Sequence, residues 1–255
     1  MPLDGLEQVG GSSGPQPPGP GETHVWAYAT DLDPTALAGL QAVLSPEEIE
    51  RSRRLRNPRE SERFIAGRAQ LRLILGDYLQ SPPSLLEFAT SAAGKPSLVA
   101  GDRKPQLHFN ATGSGSLAIV ALRTDGEVGV DVEEIRPLPD AATLARRLLR
   151  ADEYREFAEL PEARRQVRLY DYWVRKEAAV KALGSGMRQE MNRVALHPWP
   201  GDAAHRIEAE TTGLTCDVWV IRLPVPIAGY AAAVASTQPF GPILSAWRET
   251  PQWSG

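Results

Sequence analysis

The chain has 255 residues, a formal net charge of −4 and a single cysteine, Cys216. That length allows one large domain or two small ones around a sizeable core. The charge gives no bias toward nucleic acid or a membrane surface, and no apolar run reaches the roughly 18 residues that span a bilayer. One cysteine excludes an internal disulfide and suits a reducing cytoplasm. Residues 1–23 are rich in Gly, Pro and Ser, lack the regions of a signal peptide, and are expected to form a disordered tail. HVWAYAT (24–30) predicts a strand. In LSPEEIERSRRLR, Ser45 as N-cap, Pro46 at the first helical position and Glu48 at the third predict a helix opened by a capping box. A second helix is expected from about Glu60 to Leu79. LHFN and SLAIVAL predict strands separated by ATGSG, and EVGVDVEEI predicts a strand that ends before Pro137. Helices are expected over about 140–160 and 163–183. Beyond Met187 the pattern turns to short strands: RVALH, HRIEAET, TCDVWVIRL and AGYAAAVAS.

The chain carries a faint internal echo. LSPEE (44–48) resembles LRADE (149–153), and RFIAGRAQLRLILG (63–76) can be laid on DYWVRKEAAVKALG (171–184). SLAIVAL and YAAAVAS follow in the same order. Two similar α+β lobes are expected, over residues 24–125 and 126–245, with 246–255 as a C-terminal tail. Where the second copy has Glu177, the first has Ala69.

In EVGVDVEEI, Val128, Val130 and Val132 share one strand face, and Gly129, Asp131 and Glu133 share the other. Asp131 and Glu133 therefore point the same way, roughly 7 Å apart along the strand. Such a pair occurs on solvent-exposed edges, and it also suits metal binding. In WVRKEAAVKALGSGM, Lys176 falls within the apolar arc of a helix, Glu177 lies at its edge, and Lys181 stands one turn after Glu177. Three carboxylates suit a hard cation such as Mg2+ completed by phosphate oxygens. No CxxC, HxxxH, Walker or GxSxG pattern offers another chemistry. Arg51, Arg53, Arg54, Arg56, Arg59, Arg63, Arg68 and Arg72 crowd the first lobe. They fit either a solvated helix face or phosphate recognition. On the residues alone, any Mg2+-dependent enzyme acting on a diphosphate fits.

GVDVE (129–133), followed some forty residues later by WVRKEAAVKALGSGM, resembles the paired signature of the 4'-phosphopantetheinyl transferases, close to G-[IV]-D-[IV]-E and W-x-x-K-E-[AS]-x-x-K-x-x-G-x-G. GKP (94–96) and HFNATGSG (108–115) resemble two further motifs of the family, in the family's order. The length resembles its two-lobed, monomeric class, which activates peptide and polyketide synthetases. The resemblance implies a pseudo-dimer of α+β lobes with coenzyme A in the cleft between them. It implies transfer of the 4'-phosphopantetheine arm to a serine of an acyl or peptidyl carrier protein, with Mg2+ or Mn2+. Asp131, Glu133 and Glu177 would hold the metal, Glu177 would take the serine proton, and Lys181 and Lys176 would sit on the diphosphate. Lys95, Thr112 and Ser114 would bind along the coenzyme A phosphates, and Arg63 and Arg51 would hold the 3'-phosphate. Family members usually carry histidine where FNATGS has Gly113. That departure leaves a coenzyme A-binding relative without turnover as the alternative. Met187 and Met191, after the GSG turn, are candidates for carrier contact.

Overall fold

In the computed structural model, the described residues are 15–91, 94–99, 106–184, 191–196, 201, 203–211 and 214–250. In chain order they form β1 (Thr23–Ala29), α1 (Pro34–Gln41), α2 (Pro46–Arg53) and α3 (Pro58–Leu79). The short strands β2 (Phe88–Thr90) and β3 (Pro96–Leu98) follow, then β4 (His108–Ser114), β5 (Leu117–Arg123) and β6 (Val128–Glu134). The remainder comprises α4 (Ala141–Leu148), α5 (Ala151–Glu159), α6 (Glu162–Leu183), β7 (His205–Thr211), β8 (Leu214–Arg222), β9 (Tyr230–Ser236) and β10 (Ile243–Trp247). The fold is mixed α+β. One four-stranded sheet has the order β10-β1-β5-β4 and a second has the order β6-β9-β8-β7.

Local chemistry explains the helix starts. Ser45 Oγ accepts from the Glu48 N–H, and Glu48 Oε2 accepts from the Ser45 N–H at 2.9 Å, so the expected capping box is present. Asp33 and Asn57 cap α1 and α3 by accepting from backbone N–H groups of the first turn, each followed by Pro at the first helical position. The helix expected over 140–160 is two helices, because Leu149 leaves the helical region with ψ 146° and a new start follows at Arg150.

The central strands of the two sheets, β5 and β9, are buried on both faces, whereas β7 and the start of β8 keep one face exposed. The valines of β6 meet Val25 and Ala27 of β1, Leu117, Ile119 and Ala121 of β5, and Ala232 and Val234 of β9 in a core between the sheets. The outer face of the first sheet packs on Leu71, Ile74 and Leu75 of α3. The outer face of the second packs on Val174, Ala178 and Ala182 of α6. The near-continuous apolar runs of β5 (Leu117–Leu122) and β9 (Tyr230–Ala235) follow from this double burial.

Three expectations need correction. Residues 15–22 are docked, not a free tail: Gly21 N–H donates to Asp125 Oδ2 at 2.6 Å, Thr124 Oγ1 to the Pro18 carbonyl at 2.9 Å, and Gly241 N–H to the Gly21 carbonyl at 2.8 Å. Residues 1–14 lie outside the described residues. The C-terminal segment does not stay with the second lobe: β10 pairs in parallel with β1, Thr23 opposite Ile243. The expected strand RVALH is a short 3-10 turn followed by a single bridge, Val194 with Ala209, with His197 outside the described residues.

Candidate functional site

The site begins with a glycine. A Cβ on Gly129 would stand 2.1 Å from the Ala178 carbonyl oxygen and 2.4 Å from the Ala182 nitrogen, so only glycine lets α6 lie this close to β6. Small residues of β9 on the same face, Ala231, Ala233 and Ala235, keep the floor beneath the helix low. The acids on the Gly129 face are thereby brought under α6. Lys181 Nζ donates to Asp131 Oδ1 at 2.5 Å, and to Thr112 Oγ1 and the Val130 carbonyl at 3.2 Å each.

Asp131 is 3% exposed, and its Oδ2 has no hydrogen-bond partner. Burial pushes its carboxyl up to about 7. Lys181 opposes the shift, and the charges of Glu133 and Glu177 add to it. The Glu133 carboxyl is raised for the same leading reason, with Ser114 and Lys181 opposing and Glu177 adding. The charge of Glu177 thus reaches both Asp131 and Glu133. Among the described residues, no three His, Cys, Asp or Glu side chains stand as a ready cage for an ion.

β6 is the edge strand of its sheet, so its outward N–H groups need partners. They come from alternate side chains of β4. Asn110 Oδ1 accepts from the Val130 N–H at 2.9 Å, and Ser114 Oγ accepts from the Glu134 N–H at 3.1 Å. Thr112 Oγ1 donates to Asp131 Oδ1 at 3.3 Å, and Ser114 Oγ donates to Glu133 Oε2 at 2.8 Å. The strand expected at LHFN thus runs on through Ser114, into the expected ATGSG separator, and the turn is made by Gly115 at φ 57°. Strand alternation sends any side chain at position 113 to the opposite face, toward Ala118 and the α3 side. The missing histidine therefore lies off the acid face. Asn110 escaped sequence reasoning, although the period-2 run of Asn, Thr and Ser carried the signal.

The other expected binders are more dispersed. Lys95 Nζ donates to Glu127 Oε2 at 2.7 Å and to the carbonyls of Val128 and Lys181 at 3.1 Å, ending α6 with a cation. The Glu127 carboxyl is held down at about 2, first by its hydrogen bond to His108 and then by Lys95. Arg63 forms a two-bond pair with Asp31, at 2.5 and 2.8 Å, within reach of the charge of Glu134. The Arg51 guanidinium lies over the Phe64 ring, 5.0 Å from its centroid. Neither arginine has a contact to the three acids. Arg68 and Arg72 both pair with Glu48, with Arg72 at 2.6 Å, so they serve the first lobe's own packing.

Lys176 needs correction. It is 0% exposed and its ammonium donates to Glu153 Oε2 at 2.7 Å, the Val194 carbonyl at 2.6 Å and the Met191 carbonyl at 3.2 Å. Burial lowers its pKa, with Glu153 opposing. The apolar arc of α6 admits a lysine here because a buried carboxylate meets it. Met191 packs against the second lobe's core, and Met187 lies outside the described residues.

Comparison with known proteins agrees with this geometry. A family model described as the 4'-phosphopantetheinyl transferase superfamily matches residues 127–235, the stretch that carries β6 and α6. The 4'-phosphopantetheinyl transferase HetI of Nostoc sp. is 38% identical over 180 residues, covering 69% of this chain and 75% of its own. The 4'-phosphopantetheinyl transferase psf-1 of Bacillus pumilus is 31% identical over 148 residues, 58% of this chain and 61% of its own. The 4'-phosphopantetheinyl transferase Sfp of Bacillus subtilis is 26% identical over 198 residues, 77% of this chain and 83% of its own. With acids and lysine gathered on the matched stretch, and a relative this similar over most of both chains, the chain belongs to the 4'-phosphopantetheinyl transferase superfamily.

Proposed function

We propose that the β6–α6 cluster moves the 4'-phosphopantetheine arm of coenzyme A to a serine of an acyl or peptidyl carrier protein, with Mg2+, releasing 3',5'-ADP. The observation that supports this best is Asp131: a buried acid with one oxygen unpartnered, placed against Glu133, Glu177 and Lys181. An all-oxygen donor set of mutually repelling acids fits a hard cation such as Mg2+ or Mn2+. Asp131, Glu133 and Glu177 would hold it, and when bound it would supply charge neutralisation to the diphosphate.

The chain's own residues carry the rest. Glu177 accepts the proton of the serine hydroxyl. The serine oxygen forms a bond to the phosphorus bearing pantetheine, and the bond from that phosphorus to the bridging diphosphate oxygen breaks. The bridging oxygen leaves with 3',5'-ADP, and Lys181 stabilises the charge that develops there. Lys95, Arg63 and Arg51 bind phosphates by exchanging their present partners for ligand oxygens, while Thr112 and Ser114 orient the acids. This reading carries a monomer working in the cytoplasm, which the lone Cys216 suits.

The test is incubation with coenzyme A, Mg2+ and an apo carrier protein, followed by mass spectrometry of the carrier and detection of 3',5'-ADP. Holo carrier that forms with Mg2+ and fails to form with chelator is the expected result. Coenzyme A binding without any modified carrier would instead establish the non-transferring alternative.

A further inference from the structure

We propose that Lys176 is a positioning residue locked to Glu153, and that it does not touch the diphosphate. The inference rests on the reading that α6 carries the transfer chemistry at Glu177 and Lys181. All three ammonium protons of Lys176 are used inside the second lobe, on Glu153, Met191 and Val194. Glu153 is equally enclosed at 0% exposure. Its Oε2 also accepts from the Arg150 N–H at 2.8 Å, and its Oε1 accepts from the Leu196 N–H at 2.6 Å. The pair therefore ties together the start of α5, the middle of α6 and the returning chain at 191–196. Successive residues of a helix point about 100° apart. Fixing Lys176 on one side thus sets the rotation of α6 that presents Glu177, and Lys181 beyond it, to Asp131.

The first lobe supplies an independent argument. When RFIAGRAQLRLILG is laid on DYWVRKEAAVKALG, Arg68 falls on Lys176. When LSPEE is laid on LRADE, Glu48 falls on Glu153. In the structure Arg68 pairs with Glu48, and Glu48 closes the N-terminus of α2 just as Glu153 closes that of α5. The residue after Arg68 is Ala69, so this lobe has the ion pair without the acid. A device kept where there is no acid to serve belongs to helix placement, not to phosphate binding.

Two measurements test the proposal. The chain has four lysines, at 95, 104, 176 and 181. With a water-soluble acylating reagent, Lys95 and Lys181 should be modified in the folded protein and shielded by coenzyme A. Lys176 should remain unmodified, with or without the ligand, until the protein unfolds. Modification of Lys176 in the folded protein, shielded by coenzyme A, overturns the proposal. This footprint needs no turnover, so it separates failure of the proposal from failure of the transfer reading, and it decides the question even where a variant does not fold.

The second measurement compares Lys176→Met with Lys176→Met/Glu153→Gln. The glutamine amide can still accept from Leu196 and can donate to the carbonyls that lose the ammonium. The single variant should lose about tenfold or more in kcat with the KM for coenzyme A nearly unchanged. The double variant should regain most of that loss together with its unfolding midpoint. A double variant as stable as wild type, with a KM for coenzyme A raised about tenfold, contradicts the proposal.

Discussion

In the first lobe, β1 is followed by the short helices α1 and α2, the 22-residue α3 and the β4–β5 pair. In the second, β6 is followed by α4, α5, the 22-residue α6 and the β8–β9 pair. The two lobes part company at their opening strands. β1 is covered on its outer side by the backbone of β10, so its hydrogen bonds are closed and its neighbours are apolar. Among the described residues β6 has no backbone partner on that side and is held by side chains, Asn110 and Ser114 on its N–H groups. An edge held by side chains leaves room for Asp131 and Glu133 to remain polar beneath α6. The helix-anchoring ion pair is common to both lobes; the open edge and the acid at 177 are confined to one.

The comparison can be pressed hardest at the shared device. Glu48→Ala strands Arg68 and the buried Arg72 and removes the reciprocal cap of α2. The expected cost is about 3–5 kcal/mol in urea unfolding, with transfer by the folded fraction largely retained. A loss below about 1 kcal/mol would show that the first lobe does not depend on this pair.

The unshared features come next. Asp131→Ala or Glu177→Gln should lower carrier modification by about a hundredfold or more, some 2.7 kcal/mol of barrier. Turnover within about threefold of wild type for both variants would falsify the assignment of the acids.

The open edge also predicts an unusual pH dependence. The Asp131 carboxyl is raised to about 7 in the folded chain, so between about pH 4 and pH 7 the folded state holds more protons than the unfolded state. Without divalent cations, the contribution of this carboxyl to stability should fall as pH rises through that window, by on the order of 4 kcal/mol. Asp131→Asn should flatten the trend. Urea unfolding at several pH values reads both, and an Asp131→Asn curve that follows the wild-type curve in parallel over the window would contradict the burial of this acid.

The edge that β10 covers makes a smaller claim. A chain starting at Glu22 loses the hydrogen bonds of residues 18–21 to Asp125, Thr124 and Gly241. Relative to a chain starting at Pro15, it should lose about 1–2 kcal/mol, or a few degrees of midpoint by calorimetry. Identical midpoints would mean that this docking adds nothing.

The smallest expected effect is at Gly113. Because its side of β4 faces away from the acids, Gly113→His should tighten coenzyme A by less than about tenfold, under 1.4 kcal/mol. Arg63→Ala should largely erase the preference for coenzyme A over its 3'-dephospho form. Calorimetric titration of both ligands checks the pair, and a full preference retained by Arg63→Ala would remove Arg63 from the 3'-phosphate.

Much of the site was legible in the amino-acid order because it rests on local periodicities. Alternation alone puts Val128, Val130 and Val132 opposite Gly129, Asp131 and Glu133, and Ser45 with Glu48 starts α2 through contacts three residues apart. The motifs likewise place Glu177 and Lys181 one turn apart on a helix. What those periods cannot state is which distant surface each face meets. Lys176 sits on the inner arc of α6 in any helical wheel, but only the packing of α5 and the 191–196 chain shows that it meets Glu153. Only tertiary structure decides that β10 crosses back to β1, that residues 15–22 seal the far end of the first sheet, and that Asn110 bonds Val130. Each of these joins segments far apart in the chain, and the partner is chosen by unpaired backbone groups and buried charges left over after the local elements form.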